Sequence, residues 1–314
     1  MTTLELAADE TLHVLVPSRR LAGALEELSP RVRAHPVAPA DGPPRGEPAQ
    51  AQVWVPGSGS TPPPEGFLEA LPRLRLVQLT SAGAEGFAGR MPDGVVLCNA
   101  RGAHTPATAE WVVAAVLAAQ RGLPFFVREH DAGRWSFGTH RSLVGARVLV
   151  VGAGDIAATV GRMLAGFDVR LTSVARRPRE GVRAVAELPE LLPEADVVVL
   201  LVPLTPETTG MVDARFLAAM PDGALLVNAA RGPVVDTDAL LAELTSGRLR
   251  AAVDVTDPEP LPDGHPLWRA PNLLLTPHIG GEVPATRERA AAAVTEQIDR
   301  ILAGQPLANV VDAY

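Results

Sequence analysis

The sequence predicts an α/β fold of two doubly wound parallel sheets. Three observations predict it. Short apolar runs recur along the chain with helical patterns between them, which implies parallel strands covered by helices on both faces. This alternation occurs twice, once within the first hundred residues and again from Arg147 onward. A length of 314 residues also matches two domains, at about 100–200 residues each.

In the first series, His13-Val14-Leu15-Val16-Pro17, Gln52-Val53-Trp54-Val55-Pro56 and Leu74-Arg75-Leu76-Val77-Gln78-Leu79 read as buried strands. Arg19 to Leu28 has a helical pattern, and Ala38 to Ala51, with four prolines, reads as a surface loop. A long helix is expected from Thr108 to about Gln120, with Pro106 near its start and Gly122-Leu123-Pro124 ending it. Phe125 to Ser142 mixes aromatics, glycine and charge without a period. It reads either as an arm packing on another subunit or as a surface loop. The second series offers six strands: Arg147–Val151, Val169–Ser173, Val197–Val202, Ala224–Asn228, Ala251–Val255 and Leu273–Thr276. Six strands with helices between them suit a dinucleotide-binding sheet. A final helix, Ala285 to Leu302, follows Pro284.

Composition narrows the function. Hydrophobic residues make up 47% and charged residues 20%, as in an ordinary globular chain. The net charge of −8 gives no electrostatic footing for nucleic acid or an anionic membrane. All 28 basic residues are Arg, which reads as codon bias. The single cysteine, Cys98, excludes an internal disulfide and has no metal-ligand company, so no metal is expected. Met1 to Glu10 carry three acids and no basic residue, unlike a signal peptide. The apolar stretch Trp111 to Ala119 is short of the roughly 20 residues that span a bilayer. A cytoplasmic protein is the expectation.

The sharpest motif is Gly152-Ala153-Gly154-Asp155-Ile156-Ala157, which follows the strand Val148-Leu149-Val150-Val151 and opens a helix from Ile156 to Leu164. That is the context a dinucleotide fingerprint requires. Gly152 permits the turn, Gly154 lets a pyrophosphate approach the backbone, and small Ala157 lets the helix lie close to the strand. The pyrophosphate would sit on free N–H groups at the helix start. About 20 residues on, an NAD site usually carries an acid; here Thr172-Ser173-Val174 carries none, and Arg176, Arg177 and Arg179 follow. These read either as a solvated basic turn or as a pocket for a 2′-phosphate.

Three more clusters stand at strand ends: Asn228-Ala229-Ala230-Arg231-Gly232, Asp254-Val255-Thr256-Asp257-Pro258-Glu259-Pro260 and Thr276-Pro277-His278-Ile279-Gly280-Gly281. Each alone has a bland account, as a surface Arg, a solvated acid or a capping His. Together they set a guanidinium, a carboxylate and an imidazole on one sheet edge. A carboxylate beside an imidazole fixes its tautomer and suits it to acid/base work near neutrality. Arg offers a bidentate fork to a carboxylate. With a nucleotide site, the set points to hydride transfer to an oxo acid.

From Leu143 to Gly281 the chain resembles the D-isomer-specific 2-hydroxyacid dehydrogenase family. The resemblance rests on Val151 to Ala157, Pro203-Leu204-Thr205-Pro206-Glu207-Thr208, Asn228 to Asp236, Glu259-Pro260 and Thr276 to Gly281. Ser81-Ala82-Gly83 resembles the family's substrate-carboxylate loop, and Asn99-Ala100-Arg101-Gly102 through Ala109-Glu110 its interdomain segment.

The resemblance implies a Rossmann dinucleotide-binding domain over residues 101–284. It also implies a flavodoxin-like substrate domain over 1–100, completed by 285–314. Arg231, Glu259 and His278 would be catalytic, and Ser81, Ala82, Gly83 and Arg231 would bind substrate. Gly152, Gly154, Asp155, Ile156, Ser173, Arg176, Arg177, Pro203, Thr208, Ala229, Ala230, Arg231, Asp254, His278 and Gly280 would contact the cofactor, with Asp254 near the nicotinamide amide. Leu201 departs from the family, where a polar residue, usually His, is common, and Ser173 replaces a common Asp. NADP(H) is therefore expected over NAD(H). Glu259 argues against formate, and the substrate is a small 2-oxo or 2-hydroxy acid. Its pocket is expected to draw on Trp54 to Gly57, Ser81 to Ala84 and Trp135 or Trp268. The resemblance further implies a homodimer formed through the arm. The rival reading is a nucleotide-sensing binding protein or corepressor on the same scaffold.

Overall fold

The structure is a computed structural model that describes residues 2–311, apart from Ala8, Pro39, Asp41, 58–64 and Ala88. Residues 312–314 of the expected closing segment lie outside the described residues. The chain divides into two compact units, residues 1–104 with 283–314, and residues 105–282. Elements are numbered in chain order.

The first unit holds β1 (Leu12–Val16), α1 (Arg19–Glu26), β2 (Val32–Pro36), β3 (Val53–Trp54), β4 (Leu76–Gln78), β5 (Val96–Cys98) and the last helix, α8 (Pro284–Leu302). All pairings are parallel, in the order β2-β1-β3-β4-β5. That is the flavodoxin-like order, with both faces covered. Ser18 caps α1 by accepting from the Leu21 N–H. On one face Leu12, Val14, Val16, Leu21 and Leu25 pack with Val294, Ile298 and Ile301 of α8. On the other, Leu15, Trp54, Phe67, Val77 and Phe87 form a separate core.

Two strands here carry little sequence signal. β2 reads Val-Arg-Ala-His-Pro, an edge strand buried only on alternate residues, and β5 is three residues long. Trp54 corrects an expectation. It is 1% exposed, with ring centroids 4.9 Å from Phe67 and 5.9 Å from Phe87, so it belongs to the core and lines no substrate pocket. Cys98 is buried, and that burial pushes its thiol up to about 12, out of thiolate chemistry.

The second unit begins with α2 (Thr105–Gln120) and α3 (Leu123–Asp131), followed by β6 (Arg147–Val151), α4 (Asp155–Leu164), β7 (Arg170–Ala175), β8 (Val182–Ala184) and α5 (Leu188–Leu191). It continues through β9 (Val197–Leu200), α6 (Ala214–Ala219), β10 (Leu225–Asn228), α7 (Thr237–Ser246), β11 (Arg250–Val253) and β12 (Leu273–Leu275). The sheet is parallel throughout, in the order β12-β11-β10-β9-β6-β7-β8. This is a Rossmann sheet with one added strand, and its order reverses between β6 and β9. Strand β6 shows why continuous apolar runs mark such strands: Val148 and Val150 join the core under α2 and α4, while Leu149 and Val151 join the core on the opposite face.

Three differences from expectation have local causes. The stretch after Gly122 is helical as α3, because Gly122 takes the left-handed conformation at φ 64° and Pro124 sits in the next first turn. β8 is a seventh strand of only three residues at the edge. β7 runs to Ala175, two residues beyond the expected end at Ser173. The arm that follows α3 leaves Trp135 and Phe137 101% and 95% exposed. Among the described residues no single helix is long and apolar enough to cross a membrane.

Candidate active site

Register aligns the site. Across the seven-stranded sheet, Val174, Val151, Leu200, Asn228, Val253 and Leu275 are successive partners in one row. Whatever follows that row leaves from the same carboxyl edge, where open α/β sheets bind ligands. Gly152, Leu201, Ala229 to Arg231, Asp254 and Thr276 to His278 all follow it.

At the order reversal, the β6–α4 turn is shaped by backbone. Gly152 has φ 122°, and a Cβ there would meet the Leu201 carbonyl oxygen at 2.4 Å, so no other residue fits. At Gly154 a Cβ would meet nothing within 4 Å. Gly154 caps α4 without a side-chain bond, and the N-terminal turn of a helix is a favourable seat for an anion. Ala157 is buried against the strand. The turn therefore fits a pyrophosphate. Thr208 Oγ1 donates to the Pro203 carbonyl at 2.6 Å and accepts from the Thr205 N–H at 2.8 Å, which ties down the neighbouring loop.

The basic turn after β7 is arranged differently from its sequence reading. Ser173 pairs with Val150 and Val182 inside the sheet, so it does not stand at the strand's end; Ala175 does. Neither carries an acid. Arg179, absent from the expected cofactor contacts, donates from Nη2 to the Ala153 carbonyl at 2.6 Å and thus reaches the glycine-rich turn itself. Arg176 lies near Glu207, whose carboxyl is held low first by a hydrogen bond from Thr205 and only lastly by the Arg176 charge. Arg177 is exposed.

The β10 end is closed by buried Asn228. Its Nδ2 donates to the Arg231 carbonyl at 3.1 Å, and its Oδ1 accepts from the Ala230 N–H at 3.0 Å. Arg231 is half-buried and donates from Nη1 to the Ala230 carbonyl at 2.7 Å. The next residue, Gly232, is packed so tightly that a Cβ would fall 1.9 Å from the Thr256 carbonyl oxygen. Gly232 thereby locks the segment after β10 onto the segment after β11.

Asp254, 4% exposed, organises the last loop. Its Oδ1 accepts from Thr276 Oγ1 at 2.6 Å and from the Ile279 N–H at 2.9 Å, and its Oδ2 accepts from the Gly280 N–H at 2.7 Å. Gly280 has no room for a Cβ, with Asp254 Oδ2 at 2.8 Å and the Trp111 ring at 3.3 Å. The His278 N–H donates to the Asp254 carbonyl at 2.7 Å. His278 itself sits at φ 55°, a left-handed position that few side chains tolerate. Its Nδ1 is 2.5 Å from Glu259 Oε1, with the two side chains 49% and 40% exposed. Sequence reasoning found the pair but missed the brace, because nothing in a linear motif says that Asp254, Thr276 and Gly280 share bonds.

The first unit carries the remaining expected residues on the loop after β4. There the Ser81 carbonyl accepts from the Ala100 N–H at 2.9 Å, the Ala82 carbonyl from Asn99 Nδ2 at 2.8 Å, and the Gly83 carbonyl from Ser81 Oγ at 2.8 Å. All three carbonyls are engaged, one within the loop and two by residues that follow β5.

Residues 113–280, more than half of the chain, match the family profile described as D-isomer specific 2-hydroxyacid dehydrogenase, NAD binding domain. The chain belongs to the D-isomer specific 2-hydroxyacid dehydrogenase family. It is 33% identical to glyoxylate/hydroxypyruvate reductase B of Yersinia enterocolitica, over 79% of this chain and 80% of that one. It is 34% identical to D-3-phosphoglycerate dehydrogenase of Mycobacterium tuberculosis over 78% of this chain, but spans only 48% of that relative's length. Among solved structures, a D-isomer specific 2-hydroxyacid dehydrogenase from Xanthobacter autotrophicus Py2, in complex with NADPH and MES, superposes with a TM-score of 0.84. That protein is 34% identical, over 97% of this chain and 98% of its own.

Proposed function

We propose that the chain reduces small 2-oxo acids with a nicotinamide dinucleotide, and that Arg231, Glu259 and His278 are its catalytic residues. The observation that carries this is the 2.5 Å contact of His278 Nδ1 with Glu259 Oε1, on the sheet edge that also bears the glycine-rich turn. The chemistry a bound dinucleotide supplies is hydride transfer at its nicotinamide ring. Gly152, Gly154 and the first turn of α4 would hold its pyrophosphate. With Nδ1 on Glu259, His278 keeps Nε2 to give a proton to the carbonyl oxygen, or to remove it in the reverse direction. Glu259 holds the ring and offsets the charge of the imidazolium form. Arg231 grips the substrate carboxylate and polarises its carbonyl. Within the first unit, the N–H groups of Ala82 and Gly83, on a loop whose carbonyls are already engaged, are the donors proposed for a carboxylate. Asp254 acts through the loop it braces.

The same reading favours NADP(H): no carboxylate stands at Ser173 or Ala175 to repel a 2′-phosphate, and Arg176, Arg177 and Arg179 follow. It also includes a homodimer through the arm, where Trp135 and Phe137 present apolar surface to solvent. Steady-state rates on glyoxylate, hydroxypyruvate and bulkier 2-oxo acids, with NADPH and NADH in turn, test it. At least one acid is expected to reach a kcat/KM of about 10⁴ M⁻¹s⁻¹ or more. No turnover across the panel, with dinucleotide binding retained, would leave a nucleotide-sensing binding protein in its place.

A further inference from the structure

We propose that His13, His35 and Glu47 form a binding site for a divalent transition metal of the zinc class at the edge of the five-stranded sheet. His13 comes from β1, His35 from the edge strand β2, and Glu47 opens a short helical turn, Glu47–Gln50. His13 Nδ1 and His35 Nε2 lie 3.0 Å apart. Their rings are parallel to within 1°, with centroids 5.3 Å apart. Glu47 Oε1 is 3.9 Å from His13 Nδ1, and one ligand atom from each residue falls within 4.8 Å of the others. Register explains the pairing. His13 is opposite Arg33, and Leu15 is opposite His35, so the two imidazoles are diagonal neighbours on one face of a parallel ladder.

The donor set suits zinc. Two imidazoles and a carboxylate are a three-ligand zinc set that leaves a fourth position for water. At Zn–N distances of about 2.0–2.1 Å, a tetrahedral ion holds two nitrogens about 3.3 Å apart, so the imidazoles need to part only slightly. Glu47 is 64% exposed at its side chain and has the freedom to close its gap. Such an ion would tie the edge strand to its neighbour and to the helical turn. The lone cysteine plays no part, being buried at Cys98.

The test titrates the full-length chain with Zn²⁺ by calorimetry and with Co²⁺ by visible absorption. One equivalent of each is expected, with tetrahedral d–d bands, no thiolate charge-transfer band, and a Zn²⁺-dependent rise in unfolding temperature. His13→Gln and His35→Asn are expected to lose about 100-fold or more in Zn²⁺ affinity, and Glu47→Gln about tenfold. His278→Ala, which removes the other His–Glu pair, is expected to keep full affinity. Wild-type chain that takes up no stoichiometric Zn²⁺ overturns the site. So do folded His variants, checked by circular dichroism, that bind as the wild type does. Should those variants not fold, the exposed Glu47→Gln decides, and unchanged affinity there overturns it. Affinity lost in His278→Ala would move the metal to the Glu259–His278 pair and also overturn it.

Discussion

His278 is an exposed imidazole whose placement depends on a buried carboxylate that never touches its ring. Asp254 accepts three hydrogen bonds from the loop around it, and its carbonyl accepts the His278 N–H. Charged hydrogen bonds of this kind contribute roughly 1.5–3 kcal/mol, enough to hold a residue at positive φ. Replacing Asp254 by Asn turns one acceptor oxygen into a donor that faces other donors. Asp254→Asn is expected to lower kcat about tenfold or more, in steady-state assays, with KM for the acid changed less. His278→Ala is expected to lower kcat by roughly 10²–10⁴ while fluorescence titration gives a near-normal dinucleotide affinity. Near-normal turnover in His278→Ala would remove it from the mechanism. Arg231→Lys keeps the charge but loses the planar fork. Both KM and kcat are expected to suffer, and wild-type kinetics would assign Arg231 a structural role only.

At the scale of elements, the turn after β10 and the turn after β7 make different demands. Gly232 permits contact between two strand ends, and a methyl group there would overlap the Thr256 carbonyl. Gly232→Ala must push those segments apart. A loss of about 1–3 kcal/mol, typical of overpacking, is expected in denaturant unfolding, together with reduced kcat. The basic turn is exposed, so its effect should fall on affinity rather than stability. Each Arg that meets a 2′-phosphate is worth about 1–2 kcal/mol, or roughly tenfold in affinity. Arg179→Ala and the pair Arg176→Ala/Arg177→Ala are expected to raise the NADPH KM and leave the NADH KM nearly unchanged. A wild type that prefers NADH, or variants that keep their NADPH affinity, would make this a solvated surface.

The whole molecule is two units with separate cores, and its first unit is completed by the far end of the chain. Val294, Ile298 and Ile301 of α8 are each at most 1% exposed against β1 and α1, and burying each such side chain contributes about 1.5–3 kcal/mol. Trp135 and Phe137, by contrast, are packed against little of their own chain. Exposed aromatics on an arm are the expected surface for a second copy. Light scattering of the wild type is expected to give a dimer mass, and Trp135→Ser/Phe137→Ser to shift it toward monomer. A monomeric wild type would return the arm to a surface loop.

The sequence by itself determined the series of buried parallel strands, the glycine-rich turn and the Glu259–His278 pair. Each is written in local pattern: a β-branched run, a glycine demanded by backbone geometry, or a motif at a strand end. Tertiary structure decided the rest. Edge strands β2 and β8 bury too little to carry an apolar signal, and Trp54 looks the same in a core as in a pocket until Phe67 and Phe87 close on it. The bonds from Asp254 to Thr276, Ile279 and Gly280, the reach of Arg179 to Ala153 and the meeting of His13 with His35 all join residues far apart in the chain. No local pattern encodes them, because a hydrogen bond depends on distance in space, and strand register sets that distance.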